Sequence, residues 1–237
     1  MTQPALPLNA WLRLDAVMRV HPRARDAASV LEIGCGLGAM GARLARHDYV
    51  GVEPDEVSRT VARSRLPRVV ASLDEVEDGR EFDLVCAFEV LEHLSDDHAQ
   101  LRGWARRVAP GGALLLSVPA DPARWGAWDV LAGHRRRYAP DALAAMLADA
   151  GLADIEVLAY GGPLGYTLEA ARNLIARRRL RGRGASAERR TAGSARLIQP
   201  PDLLAPVTAA VSAPFRFLQR ASTERGTGLV GVGHRRA

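Results

Sequence analysis

The chain has 237 residues and no lysine, so all 32 of its Lys-plus-Arg residues are arginines. That is an arginine-biased composition, and it removes arginine abundance alone as an argument for any one partner. Cysteine is nearly absent too: Cys35 and Cys86 are the only two. They are expected to be small reduced side chains in a loop and a buried strand, which excludes a disulfide framework and fits the cytoplasm. No stretch approaches the ~20 uninterrupted apolar residues of a membrane span. The opening MTQPALPLNAW has no basic segment leading into an apolar one, so no secretory signal is expected. No internal repeat is present.

What is there is an acidic body with a basic tail region. Residues 1–171 sum to −6, residues 172–196 hold nine arginines against one glutamate, and the whole chain carries +5. Hydrophobic residues make up 48%, enough to bury a sizeable core in one domain with an elaboration.

Hydrophobic patterning alternates strands with helices. Residues 8–20 have the helical spacing of Trp11, Leu14, Val17 and Met18. Apolar runs predict strands at 29–34, 49–54, 68–71, 82–88, 113–119, 154–160 and 228–233. Helices are expected at 37–47, 55–65, 97–109, from Pro140 to Gly151, and at 164–180. One or two more, interrupted at Pro206 and Pro214, are expected over 201–221. Such alternation implies an α/β fold: a mostly parallel sheet with helices on both faces. The boundaries read as an N-terminal helix (1–28), an α/β core (29–160), a basic helical insertion (161–225, with 181–195 expected to be mobile) and a last core strand (226–237).

The strongest motif is LEIGCGLG (31–38), a buried strand delivered into a glycine turn with a helix after it. Glycines there let backbone N–H groups approach a ligand closely. Glu32 is placed to accept from an ammonium group, and Glu53, at the end of the next strand, to take both hydroxyls of a ribose. A tight turn without a ligand is the plain structural alternative. GLGAMG (36–41) also fits the dinucleotide pattern G-x-G-x-x-G, but in a dehydrogenase Glu32 and the segments EVLEHL (89–94) and PGG (110–112) have no role.

EIGCGLG together with Glu53, FDLVCAFEVLEHL (82–94) and APGGALLLSVP (109–119) resembles the class I S-adenosylmethionine-dependent methyltransferases over residues 29 to about 160. The resemblance implies a Rossmann-like seven-stranded sheet with an antiparallel last strand and a helical insertion between strands six and seven. It also implies a cytoplasmic enzyme that binds S-adenosylmethionine through Glu32, Gly34, Cys35, Gly36, Gly38, Glu53, Pro54, Phe88 and Glu89. After the third strand such enzymes often place an acid for the adenine amino group. Here Leu73 stands at that position, so Ser72, Leu73, Asp74 or backbone takes the contact.

Methyl transfer requires an acceptor held in line and, for a hydroxyl acceptor, a route for its proton. Glu89, Glu92 and His93 share a face if their segment turns helically, and GHRRRY (133–138) adds His134 and Tyr138 with Asp129 upstream. Two chemical readings stand beside a purely structural one. Either His93 or His134 acts as base or orienter, or Glu89, Glu92, His93 and His134 hold a divalent cation. The E-x-x-E-H pattern resembles metal-dependent O-methyltransferases of ubiquinone biosynthesis and, with a later His, small-RNA 2′-O-methyltransferases. GHRRRY resembles a motif of a broad bacterial methyltransferase branch with diverse acceptors.

A small or lipid-like acceptor methylated at oxygen is expected, with Arg135, Arg136 and Arg137 as candidate ligands for an anionic one. An RNA 2′-O-methyltransferase with a divalent cation is one alternative. A nucleoside-cofactor-binding protein without turnover is another. The arginine run 177–183 lacks aromatic interleaving, which disfavours nucleic acid. The apolar segment 203–218 beside it is compatible with peripheral membrane contact.

Overall fold

The computed structural model describes residues 3–44, 48–181, 199–221 and 224–237. Seven strands, β1 (Ser29–Ile33), β2 (Asp48–Val52), β3 (Val69–Val70), β4 (Phe82–Phe88), β5 (Val108–Pro119), β6 (Ala153–Tyr160) and β7 (Gly228–His234), form one sheet in the order β3-β2-β1-β4-β5-β7-β6. β1 to β5 run parallel, and β7 is antiparallel to both β5 and β6.

Strand side chains alternate between two cores, as a pleat of period two dictates. Val30, Leu84, Cys86 and Leu115 face one core, which is closed by Leu12, Leu14 and Val17 of α1 (Leu8–Val20) and by Leu44 of α2 (Gly41–Leu44). Ala62 of α3 (Glu56–Arg63) joins them. Leu31, Val85, Leu114 and Leu116 face the other. It is closed by Leu101 and Trp104 of α4 (Asp97–Ala105) and by Leu143, Met146 and Leu147 of α6 (Pro140–Asp149). Both faces are therefore apolar, which is why the central strands read as unbroken hydrophobic runs. Truncating Leu115 to alanine at this depth would cost about 2–5 kcal/mol.

Three expected elements differ. The helix expected over 37–47 is described only as α2, because Gly34, Gly36 and Gly38 all have positive φ and hold the chain in a turn as far as Gly41. The helix expected to reach 109 ends at Ala105, and β5 already starts at Val108. Asp129, expected on an irregular segment, lies in a short helix, α5 (Ala127–Ala132), capped at Gly133 in the left-handed region.

The insertion between β6 and β7 contributes α7 (Leu164–Leu180) and α8 (Ala205–Leu218). Pro206 sits in the first turn of α8, where its missing N–H costs nothing, and Pro214 lies within the helix without dividing it. α8 packs on α1: Trp11 Nε1 donates to Thr208 Oγ1 at 3.2 Å, and the guanidiniums of Arg43 and Arg216 stand 4.8 and 5.1 Å from the Trp11 ring centre. Residues 182–195, most of the stretch expected to be mobile, lie outside the described residues. Leu203 and Phe217 are 79% and 74% exposed. No helix among the described residues is long and apolar enough to cross a membrane.

Candidate active site

The carboxyl ends of β1, β2 and β4 open on one rim, where ligands bind in open α/β sheets. At β1, the N–H groups of Gly34 and Cys35 donate to Val52 O at 2.8 and 3.0 Å, which folds the glycine turn back over β2. Gly34 has φ +68°, and a Cβ there would lie 2.5 Å from Val90 Cγ2. Gly36 has φ +55°, yet its absent Cβ would meet nothing within 4 Å. The turn thus leaves an open cradle beside Glu53. That carboxylate accepts from Gly36 N at 2.8 Å and Asp55 N at 2.9 Å, and burial holds it above the usual carboxylate range despite both bonds. Glu32 lies beneath, 1% exposed, accepting from Tyr49 Oη at 2.6 Å; burial pushes it up to about 7.

The cradle fits a nucleoside with an amino-acid tail, with open space over Gly36, a buried acid below and a second acid at the end of β2. Pro54 follows Glu53 at the rim, and Phe88 is the buried last residue of β4. After β3, Ser72, Leu73 and Asp74 enter a single 3₁₀ turn; Ser72 Oγ accepts from Asp74 N, and Glu75 accepts from Ser72 N.

The reacting end is assembled from distant segments. Glu89 leaves β4 at φ +58°, a strained conformation for a residue with a side chain. Its carboxylate accepts from Ser117 Oγ at 3.0 Å and Tyr160 Oη at 3.2 Å and lies 3.9 Å from Arg13 Nε. Burial would raise it, but the Arg13 charge, His134 and these hydrogen bonds outweigh burial and hold it low. Leu91–His93 forms one 3₁₀ turn, so Glu92 points inward, fully buried. Neither Glu92 oxygen has a hydrogen-bond partner. Burial, reinforced by Glu89, raises its pKa well above normal.

The Nε2 atoms of His93 and His134 lie 3.9 and 3.8 Å from Glu92 Oε1, and the two rings meet edge to face at 4.9 Å. Potential ligand atoms of these three residues fall within 4.8 Å of one another. Burial, with His134 beside it, lowers the His93 imidazole to about 4. His134 Nδ1 sits 2.8 Å from Asp129 Oδ1. Burial would raise Asp129, but bonds from His134 and Arg137 carry it down to about 2.

The GHRRRY arginines turn out to be committed. Arg137 grips both oxygens of Asp129 at 2.9 and 2.8 Å, Arg136 pairs with Asp97 at 2.6 Å, and Arg135 donates to His93 O at 3.0 Å. Tyr138 is buried and donates to Asp97 Oδ2 at 2.9 Å, away from the histidines.

A narrow cleft opens beside His134, lined among others by Asn9, Glu89, Trp128, Tyr160, Glu169 and Arg172. Asn9, Trp128, Tyr160, Glu169 and Arg172 escaped the reading from sequence. One signal was available: Glu169, Arg172 and Asn173 stand at i, i+3 and i+4, a polar stripe on one face of α7.

A doubly wound sheet with a glycine cradle, an acid at the end of β2 and a polar cleft alongside is the architecture of a group-transfer enzyme built around a nucleoside cofactor. The chain belongs to the methyltransferase-domain family, whose model matches residues 9–157. It is 33% identical over 224 residues to a probable S-adenosylmethionine-dependent methyltransferase of Mycobacterium tuberculosis strain H37Rv, covering 89% of this chain and 77% of that protein. A ubiquinone biosynthesis O-methyltransferase of Azorhizobium caulinodans is 37% identical over 99 residues, 38% of this chain and 39% of the relative. Among solved structures, an S-adenosylmethionine-dependent methyltransferase of Thermotoga maritima superposes with a TM-score of 0.59 at 16% identity, covering 96% of this chain and 89% of that one. The protein is a class I S-adenosylmethionine-dependent methyltransferase.

Proposed function

We propose that the enzyme methylates an oxygen atom of a small-molecule acceptor bound in the cleft beside His134. The observation that carries this reading is the Asp129–His134 pair: a buried carboxylate, also gripped by Arg137, lies 2.8 Å from Nδ1 of the cleft-lining His134. It leaves Nε2 without a hydrogen bond among the described residues, 3.8 Å from Glu92 Oε1. An imidazole oriented in this way can take the proton of a hydroxyl.

S-Adenosylmethionine supplies a methyl group on sulfonium. The glycine turn and Glu53 hold its nucleoside part, and Glu32 takes its ammonium group. Glu89, fixed by Ser117, Tyr160 and Arg13, shapes the passage between the two half-sites. Similarity to a ubiquinone O-methyltransferase supports oxygen as the acceptor atom. The exposed apolar side chains of α8 are compatible with a lipid-like acceptor presented at a membrane surface.

The test is His134→Asn, assayed with an acceptor found by screening hydroxylated small molecules. Turnover should fall about a hundredfold or more, while affinity for S-adenosylhomocysteine stays within twofold. Unchanged turnover would sink the assignment.

Glu92 favours a second reading. A carboxylate with both oxygens buried and unpartnered, flanked by two imidazoles, is either protonated or holds a cation. Glu92, His93 and His134 would be the ligands, and the cation would polarise the acceptor hydroxyl. Glu89 is committed elsewhere, to Ser117, Tyr160 and Arg13.

A further inference from the structure

Charge in the acceptor cleft balances except at one side chain. Asp129 is paired with Arg137 at 2.8 Å, Glu169 with Arg124 at 3.1 Å and Arg137 at 3.3 Å, and Glu89 faces Arg13 at 3.9 Å. Arg172, on the same stripe of α7 as Glu169, also lines the cleft. Among the described residues no carboxylate lies within ion-pair distance of its guanidinium. Its only close partner is the Trp128 ring, 5.8 Å from Cζ to the ring centre. Trp128 is fixed in turn, because its backbone N–H donates to Asn173 Oδ1 at 2.8 Å.

Burial draws the Arg172 guanidinium below its ordinary pKa, and the charges of Glu89 and Glu169, beyond ion-pair distance, offset this only in part. A second unsatisfied group lies in the same lining: Asn9 Oδ1 is buried and has no hydrogen-bond partner. An unpaired cation and an orphaned amide oxygen in one narrow cleft are the marks of a site completed by its ligand.

We infer that Arg172, stacked on Trp128, reads a carboxylate on the methyl acceptor, and that Asn9 receives a hydroxyl or N–H from the same molecule. The inference rests on the cleft being the acceptor site. A carboxylate is the anion chosen because a single planar fork over an indole matches a planar two-oxygen group, and the cleft offers one uncompensated positive charge. This assigns acceptor specificity to the insertion helix, and it moves the anion contact away from the arginines of GHRRRY.

The probes are benzoate and benzamide, which have the same shape but differ in charge. Each is titrated into the full-length enzyme saturated with S-adenosylhomocysteine, following the Trp128 indole N–H by NMR. Benzoate should bind at least tenfold more tightly than benzamide. That preference should shrink to twofold or less in Arg172→Gln and persist in Arg178→Gln, an exposed arginine on the same helix.

Equal binding of the two probes, binding of neither, or a preference that survives Arg172→Gln overturns the inference. S-Adenosylhomocysteine affinity is measured in the same samples. Normal cofactor binding without benzoate preference overturns the role of Arg172 alone, whereas loss of cofactor binding in the wild type takes the site reading down with it. His134→Asn should keep the benzoate preference while losing turnover, which separates the specificity contact from the proposed base.

Discussion

At the β1 turn, the groups that form the proposed cofactor cradle come from residues 32 to 53, and much of its shape is set by backbone. At the other end of the same rim, Asn9, Glu89, Asp129 with His134, Tyr160 and Arg172 arrive from five separate segments, and the work is done by side chains. The first half-site is a local structure that the sheet carries ready-made. The second exists only once α1, α5 and α7 have docked. One consequence is that a single substitution in the cradle acts on binding directly, while one in the cleft acts through a network.

The largest effect expected from this contrast comes at Gly36. Nothing lies within 4 Å of its missing Cβ, so Gly36→Val should fill the cradle without a clash, while its φ of +55° costs the fold about 1–3 kcal/mol of backbone strain. Calorimetry should show at least a hundredfold loss of S-adenosylhomocysteine affinity. Gly34→Ala carries the same kind of backbone strain, about 1–3 kcal/mol, and adds a clash with Val90, so it should lower the melting temperature further while leaving the cradle open. Wild-type affinity in Gly36→Val would show that the cradle is not the cofactor site.

A smaller effect concerns pH. Glu32 in the free enzyme has its pKa raised to about 7, and a ligand ammonium favours its ionised form. Affinity for S-adenosylhomocysteine should therefore rise with pH and level off above 7, losing about tenfold per unit below it. Stability of the free enzyme should run the other way. A raised folded-state pKa favours the protonated native form, so this contribution is complete below about pH 4 and is lost as pH climbs through 7. Calorimetric titrations between pH 5.5 and 8.5 check both signs; an affinity independent of pH would remove Glu32 from the ammonium contact.

The smallest effect separates the two readings of Glu92. With no cation, the buried acid is kept protonated, and its contribution to stability falls as pH rises from about 4 upward. Glu92→Gln should then raise the melting temperature at pH 8 by a few degrees and flatten its pH dependence. With a cation bound, the same substitution should lower it, and a chelator should destabilise the wild type but not the variant. Thermal unfolding with and without EDTA reads both.

The positions of the strands were legible because each buried strand has its own apolar run, and the glycine turn because its residues are contiguous; the antiparallel last strand followed from the family resemblance. Helix ends were less so. Residues 37–40 carry a helical composition, but the positive φ at Gly38 spends them on the turn. The roles within GHRRRY could not be read either. Which arginine faces the cleft depends on where Asp129, Asp97 and Glu169 lie in space, and those partners are 8, 39 and 32 positions away from the arginines they hold. The anion contact inferred at Arg172 lies instead on α7, ahead of the arginine run 177–183 that stood out in the sequence.

Of the 17 residues of α7, only Gly165 and Ala176 are buried. The helix is held to the rim by the ion pairs Arg124–Glu169 and Arg137–Glu169 and by the Trp128 N–H bond to Asn173, whereas the floor of the cleft is fixed by backbone hydrogen bonds and apolar packing. Dissolved ions weaken the partly exposed Arg124 link and leave the floor untouched. If the cleft takes the acceptor as proposed, ionic strength should therefore act as a selective handle, changing how readily an acceptor enters and leaves more than the grip on the methyl donor.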